Sequence, residues 1–429
     1  MERYVIIGNG VAGTEAAFTI RQRHSADAAS ITLISGESDY FFSRTALMYA
    51  FMDIMERREL EPFERAFYDA QNIDRIRDLV VDIDTDSKTL TFASGGSISY
   101  DKLLLAVGAK ARLFPWEGMD KASDGVAHFV SMQDLDNCER LAATAQKAVV
   151  VGGGLIGIEL VECLYHHKIP VTFLVREPYY WPIALHSQEG KLVSDHIRSH
   201  RGIDLRHEEE MESVEVDENG RVSAIRTNKG DHVPCQMLGI CVGVAANVEW
   251  IKECGAPIEI GRGICVDRSF RTSAPDIFGA GDCVQIDMGE ERPKIETIWY
   301  SAKLHGRLAA AAMMGDEIHY TPPLFYNSSK FFEIEYTTVG AVTMAPKGSM
   351  SLYRKHPKKT VTQRIIYNPD REVIGFNMLG SRWNHNVLER WIHERRNVDF
   401  VCSRLHEAQF DVEFGRAKLH QFNEEELAL

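Results

Sequence analysis

Two short glycine runs carry the most specific chemistry in this chain. Gly8-Asn9-Gly10-Val11-Ala12-Gly13 and Gly152-Gly153-Gly154-Leu155-Ile156-Gly157 share the spacing G-x-G-x-x-G and start 144 residues apart. In such a run the first glycine makes a tight turn and the second lets a pyrophosphate approach the backbone. The third allows a helix to pack closely on a strand. The helix that follows turns free N–H groups and the positive end of its dipole toward the phosphates.

The spacing alone is a weak signal, and its context strengthens it. Residues 3–7 (RYVII) read as a buried strand, Val11 to about Arg23 as a helix with alanines at packing positions, and 31–35 (ITLIS) as a second strand. The order recurs at 148–176, with AVVV before the glycines, a helix from Leu155 to about His167, and VTFLV after it. Each is a strand–turn–helix–strand unit of about 30 residues. Two dinucleotide sites on one chain have a simple use: one internal redox cofactor and one hydride donor.

Acidic residues refine the reading. Glu37 stands 24 residues after Gly13, where a carboxylate accepts hydrogen bonds from ribose hydroxyls. In the second unit the strand ends at Val175, followed by Arg176 and Glu177. Arg176 suits a 2′-phosphate and points to NADPH, whereas Glu177 suits a ribose and keeps NADH open.

The rest of the chain must position these turns. Its 429 residues suit two to three domains, with 45% hydrophobic and 26% charged residues, as in a globular protein. Acidic residues outnumber basic ones, 62 to 48, which argues against a nucleic-acid partner. No apolar run approaches the ~20 residues of a membrane span, and the N-terminus lacks a signal-peptide pattern, so a cytoplasmic location is expected. A hairpin is expected over 211–228 around Asn219-Gly220, a strand over 237–244, and an alanine-rich helix over Ile298–Met314, with Pro322-Pro323 as a boundary.

The chain resembles the two-dinucleotide-domain flavoproteins of the pyridine nucleotide-disulfide oxidoreductase superfamily over roughly residues 1–320. Besides the paired glycine runs, 272–283 (TSAPDIFGAGDC) is similar to the family's FAD signature. The resemblance implies that Asp282 hydrogen-bonds the FAD ribityl chain and that Gly281 lets the backbone pass close. It extends to 103–109 (LLLAVGA), with Ala106 and Gly108 at the domain junction, and to 239–247 (GICVGVAAN), with Gly243 closing the pyridine-nucleotide domain. Residues 40–47 (YFFSRTAL) resemble a stretch of ferredoxin-reductase-like, rubredoxin-reductase-like and nitrite-reductase-like members, which implies that Arg44 contacts FAD. Tyr49 stands where those members often carry a lysine. Glu159 matches the family's acidic residue after the second glycine run, as a candidate catalytic group at the nicotinamide.

The resemblance implies an α/β fold with two Rossmann-like domains, the second inserted in the first, plus a C-terminal α/β module. The expected boundaries are 1–115 and 245–320 for the FAD domain, 116–244 for the NAD(P)H domain, and 321–429 for a module that supports dimerisation or caps the flavin. The eight cysteines contain no C-x-x-C pair and Cys138 is the first of them, so the dithiol relay of the disulfide reductases is expected to be absent. The reading is an FAD-dependent NAD(P)H oxidoreductase passing electrons to a protein carrier such as ferredoxin or rubredoxin. A reductase of oxygen, quinone or another small acceptor, and a redox-sensing binding flavoprotein, are the alternatives. No metal site is expected: His196 and His200 share a helix face, but no third ligand is evident beside them.

Overall fold

The computed structural model describes residues 1–410 and 423–429; residues 411–422 of the expected C-terminal module lie outside the described residues. By its internal contacts the chain divides into two units. The first comprises Met1–Leu113, His128–Arg140 and Gly243–Thr321, and the second Phe114–Ala127, Leu141–Val242 and Pro322–Leu429.

The first unit is built on a five-stranded parallel sheet. Its order is Ile277–Gly279, Lys102–Leu105, Glu2–Ile7, Ala29–Ile34, Ile73–Ile76. The central strand is apolar from Tyr4 to Ile7 because both of its faces are covered, as parallel sheets require. One cover is the first glycine helix, Val11–Arg23, which packs against the alanine-rich helix Trp299–Met313. Small residues set that approach: a Cβ on Gly306 would lie 2.1 Å from the carbonyl oxygen of Ala12.

The second unit repeats the architecture. Its parallel sheet runs Ile203–His207, Val171–Val175, Ala148–Val151, Met237–Ile240, Val126–Ala127, with the second glycine helix at Leu155–His166. The expected hairpin forms from Met211–Val216 and Val222–Thr227. The strand expected over 237–244 ends at Ile240, and Val244–Ala246 pairs instead with Ala109–Ala111 in the first unit. The break falls at Gly243, whose φ of +103° is incompatible with a continuing strand.

The same unit contains a six-stranded antiparallel sheet, Tyr326–Phe331, Ile334–Gly340, Val373–Leu379, Thr362–Tyr367, Met350–Lys355, Asn423–Ala428, with helices His385–His393 and Val398–Arg404. A buried ion pair ties it to the pyridine-nucleotide fold. Arg364 donates to both oxygens of Glu189, at 2.6 and 2.9 Å, and also to Ser351 Oγ and Gln188 Oε1, while lying over the Tyr353 ring. The buried charges are matched by hydrogen bonds, as burial of charge demands; removing one partner of such a pair typically costs about 3–5 kcal/mol. Glu189 opens the helix Ser187–Ser199, so this pair joins that helix to the antiparallel sheet. Among the described residues, no helix is long and apolar enough to cross a membrane.

Candidate nucleotide sites

Each glycine turn is shaped by what a side chain would strike. Gly8 has φ +106°, and a Cβ there would lie 2.1 Å from the carbonyl oxygen of Ala106; a Cβ on Gly13 would lie 1.9 Å from the oxygen of Gly8. Gly10, between them, meets nothing within 4 Å. The second unit matches position by position. Gly152 has φ +115° and would strike the oxygen of Cys241 at 2.2 Å, Gly157 would strike the oxygen of Gly152 at 2.0 Å, and Gly154 again meets nothing within 4 Å. The outer glycines close strand, turn and helix on one another, and the middle one leaves room.

That room lies at a helix start suited to phosphate. Both glycine helices begin without a capping side chain and with no acidic residue in the first turn. Their first N–H groups and dipoles are therefore available to an anion. A dinucleotide pyrophosphate fits both cradles on these grounds.

In the first unit the remaining expected residues gather near the turn. Ala106 is buried and donates its N–H to the Ile7 carbonyl at 2.8 Å, which holds the exit of its strand beside Gly8. Asn9 donates to the carbonyl of Ser38 at 2.7 Å, pinning the turn to the loop that carries Glu37. A Cβ on Gly281 would come within 3.0 Å of the Ala12 methyl, so Asp282 is carried beside the start of the glycine helix. Gly108 and Gly243 flank the short ladder formed by Ala109–Ala111 and Val244–Ala246, both facing open space.

Glu37 and Arg44, expected to meet different parts of a nucleotide, meet each other. Arg44 clasps the carboxylate through two hydrogen bonds of 2.8 and 2.7 Å, and Met132 N–H donates to it at 3.0 Å. Arg44 also donates to the carbonyl of Val130. A carboxylate has about four acceptor positions, and these contacts take three, so one is left for a ribose hydroxyl. The same contacts hold residues 130–133 in the first unit.

Asp282 is half-buried, and burial pushes its carboxyl up to about 6 against the opposing charges of Arg44 and His305. His305 belongs to a group with no signature in the spacing. It is fully buried on the helix Trp299–Met313, and its Nε2 lies 3.3 Å from Glu296, which also accepts from the Tyr320 hydroxyl at 2.5 Å. Burial opposes ionisation of Glu296, but the hydrogen bonds from His305 and Tyr320 and the charge of Lys294 bring it down to about 2. His305 Nδ1 is buried without a hydrogen-bond partner. Trp299 Nε1, at the start of the same helix, is likewise buried and unpartnered.

In the second unit Arg176 and Glu177 also pair with each other, at 2.8 Å, with Arg176 largely exposed and Glu177 partly buried. Tyr180 is buried and donates from its hydroxyl to the carbonyl of Gly154 at 3.2 Å, bracing the open glycine; no sequence signal marked it. Glu159 is half-buried on the second glycine helix. Burial pushes its carboxyl up to about 8, with the charge of Glu162 adding to the shift and that of Lys330 opposing it. Lys330 is ion-paired to Glu162.

The proton on Glu159 has a stability consequence. A folded value above the unfolded one, near 4.5, makes its contribution full below that value and lost as the pH rises through about 8. Glu159→Gln, which copies the protonated form, should equal the wild type near pH 5 and exceed it at pH 8 by on the order of 2 kcal/mol. The measurement is the gap in Tm across that range. A gap that stays flat would show that the carboxyl is ionised throughout.

His196 and His200 gain a third neighbour that their spacing did not reveal, Glu333, 137 residues beyond His196. All eight cysteines are free thiols, five of them buried.

Residues 2–313 match the family model described as pyridine nucleotide-disulphide oxidoreductase. The chain belongs to that family. As a pyridine nucleotide-disulphide oxidoreductase family member it is an FAD-dependent oxidoreductase that uses NAD(P)H. It is similar to a rubredoxin-NAD(+) reductase of Pseudomonas putida, 28% identical over 76% of this chain and 84% of the relative. The ferredoxin–NAD(+) reductase component of the p-cumate 2,3-dioxygenase system, also from Pseudomonas putida, is 26% identical over 93% of this chain and 95% of its own length. Among solved structures, an NAD-dependent persulfide reductase from A. fulgidus aligns with a TM-score of 0.81 at 24% identity, covering 94% of this chain and 78% of that one. The ferredoxin reductase of the CYP199A2 system from Rhodopseudomonas palustris aligns at 0.77 and 22%, covering 97% of this chain and all of that one. Those two structural likenesses establish the shared fold: two Rossmann-like domains in an α/β chain.

Proposed function

We propose that this oxidoreductase is the NAD(P)H-consuming reductase of a cytoplasmic electron-transfer system, and that its acceptor is a small protein carrier of the ferredoxin or rubredoxin type. The observation that carries this reading is the likeness, over three quarters or more of the chain, to reductases named for such carriers. The absence of a C-x-x-C pair anywhere in the sequence supports it, since a dithiol relay would otherwise compete as the next electron holder.

The residues take these roles in the proposal. Gly8, Gly10 and Gly13 hold the FAD pyrophosphate at the helix Val11–Arg23, with Glu37 accepting from the ribose and Arg44 fixing Glu37. Asp282 accepts from the ribityl chain, Gly281 lets the backbone approach, and Ala106, Gly108 and Gly243 shape the space beside it. Gly152, Gly154 and Gly157 hold the pyrophosphate of NADPH or NADH at the helix Leu155–His166, with Arg176 and Glu177 toward its adenosine ribose. Glu159, protonated at neutral pH, donates a hydrogen bond at the nicotinamide without adding charge. Bound FAD supplies the conversion of two-electron chemistry to electron transfer that the side chains themselves lack.

Stopped-flow reoxidation of the NADPH- or NADH-reduced protein tests the acceptor. Reduced ferredoxin or rubredoxin should accumulate faster than oxygen or a quinone consumes the reduced protein. Rapid reaction with oxygen and no acceleration by either carrier would move the assignment to a small-acceptor reductase. Slow reaction with every acceptor, with a change in oligomeric state on NAD(P)H addition, would instead identify a redox-sensing flavoprotein.

A further inference from the structure

Outside the nucleotide sites, three side chains of the second unit converge on one point. His196 lies in the helix Ser187–Ser199 and His200 caps its C-terminus, while Glu333 occupies the turn between strands Tyr326–Phe331 and Ile334–Gly340. One oxygen of Glu333, Oε2, is 2.8 Å from His196 Nε2 and 3.4 Å from His200 Nε2. Ligand atoms of all three residues lie within 4.8 Å of one another. A tetrahedral ion bonded to nitrogen and oxygen at about 2.0–2.2 Å spaces its ligand atoms about 3.3–3.6 Å apart. The His200–Glu333 distance falls within that spacing, and the His196–Glu333 distance is a hydrogen bond that would lengthen by about 0.5 Å to admit the ion.

The surroundings already orient the ligands. His200 Nδ1 lies 2.9 Å from the carbonyl oxygen of His196. A carbonyl only accepts, so Nδ1 carries the hydrogen, and in the neutral ring Nε2 presents its lone pair. A ring N–H donated to a backbone carbonyl is the outer hydrogen bond that metal-ligating histidines use. The ring itself is clamped: it stacks on Phe332 at 4.2 Å, and Tyr165 meets it edge-on at 5.2 Å. Both histidines are largely buried, whereas Glu333 is 72% exposed, so a remaining coordination position opens to water.

We propose that His196, His200 and Glu333 bind one divalent transition-metal ion of the zinc class. Two imidazoles and one carboxylate suit zinc, nickel or cobalt, whereas magnesium and calcium require more oxygen ligands. The ion would be structural. It would clip the helix Ser187–Ser199 to the hairpin turn of the antiparallel sheet, across the boundary also joined by Glu189 and Arg364. A metal held only by the folded form stabilises it by mass action.

The test uses the FAD-loaded protein, stripped with EDTA and dialysed against about 10 micromolar free zinc chloride. Bound zinc is measured by atomic absorption and stability by Tm. The wild type should take up one zinc per chain and gain Tm, with magnesium giving neither effect. His196→Ala and His200→Ala should lose the zinc and the Tm gain while retaining the flavin spectrum. Glu333→Gln should weaken binding at least about tenfold. Because Glu333 is exposed, this variant keeps the question decidable if a histidine variant fails to fold. Failure of the wild type to take up zinc, or a zinc Kd unchanged in Glu333→Gln when both proteins are titrated against a competing chelator, would overturn the site.

Discussion

Gly10→Val is expected to give a folded protein that purifies without colour. Gly10 has φ −67° and ψ −174°, a backbone that any residue adopts, and its added Cβ would meet nothing within 4 Å. The apoprotein therefore has space for the side chain. In the proposed placement the FAD pyrophosphate has none, because the middle glycine of the run is where phosphate and backbone approach. Forcing a side chain into a filled site costs about 1–3 kcal/mol or more, which weakens FAD binding by about five- to 150-fold or more. The comparison with Gly8→Ala isolates the effect. There a Cβ would lie 2.1 Å from the carbonyl of Ala106 on a left-handed backbone, so the fold itself should suffer. Circular dichroism and visible absorbance, before and after adding FAD, distinguish the two outcomes. A Gly10→Val protein that purifies with wild-type flavin content would refute the placement of FAD at this turn.

The parts of this molecule that were legible in the sequence are those whose chemistry dictates local geometry. A pyrophosphate on a helix N-terminus requires glycine at three fixed offsets, so both units could be located from a few letters and their flanking strands. The hairpin at Asn219-Gly220 was legible for a similar reason, since its turn sets Gly220 at φ +76°, a left-handed backbone that glycine favours. What spacing could not convey were pairings set by the tertiary fold. Glu37 and Arg44 each matched a separate ligand role, yet they are within reach of each other and meet. Arg176 and Glu177 behave in the same way. Neither motif records which guanidinium and which carboxylate the folded chain brings into contact.

The less legible features are pairings that no local pattern encodes, and most of them span long stretches of the chain. Glu296 gathers His305 from the helix that follows it and Tyr320 from the segment beyond that helix, and none of the three stands in a recognisable motif. Glu333 reaches His196 across 137 residues. Arg364, in a strand that reads as ordinary sheet, is paired with Glu189 across 175. That last pair also bears on domain organisation. Burying a guanidinium requires its carboxylate to be buried with it, so the helix Ser187–Ser199 and the C-terminal antiparallel sheet were bound to one contact unit by a partnership visible only once the chain had folded.

Gly154→Val should produce the opposite phenotype to Gly10→Val: a yellow protein that NAD(P)H does not bleach. The two positions are structural equivalents, each open where its neighbours are closed, and each at the start of an uncapped helix. In the proposal only the ligand differs. With the first turn intact, FAD content should match the wild type. At the second, the added side chain takes the space of the pyridine-nucleotide pyrophosphate, and a displacement of the substrate by about 1 Å can itself cost 10²-fold in rate. kcat/KM for NADPH and for NADH should therefore fall at least about a hundredfold, while photochemical or dithionite reduction of the flavin remains normal. Arg176→Ala measured beside it separates the nucleotides: loss confined to NADPH would mark Arg176 as a 2′-phosphate contact, because a ribose hydroxyl gives a guanidinium no charge to meet. Since the turns have the same geometry, the two valine variants decide which dinucleotide each one holds. Loss of colour in Gly154→Val, with colour kept in Gly10→Val, would exchange the assignments.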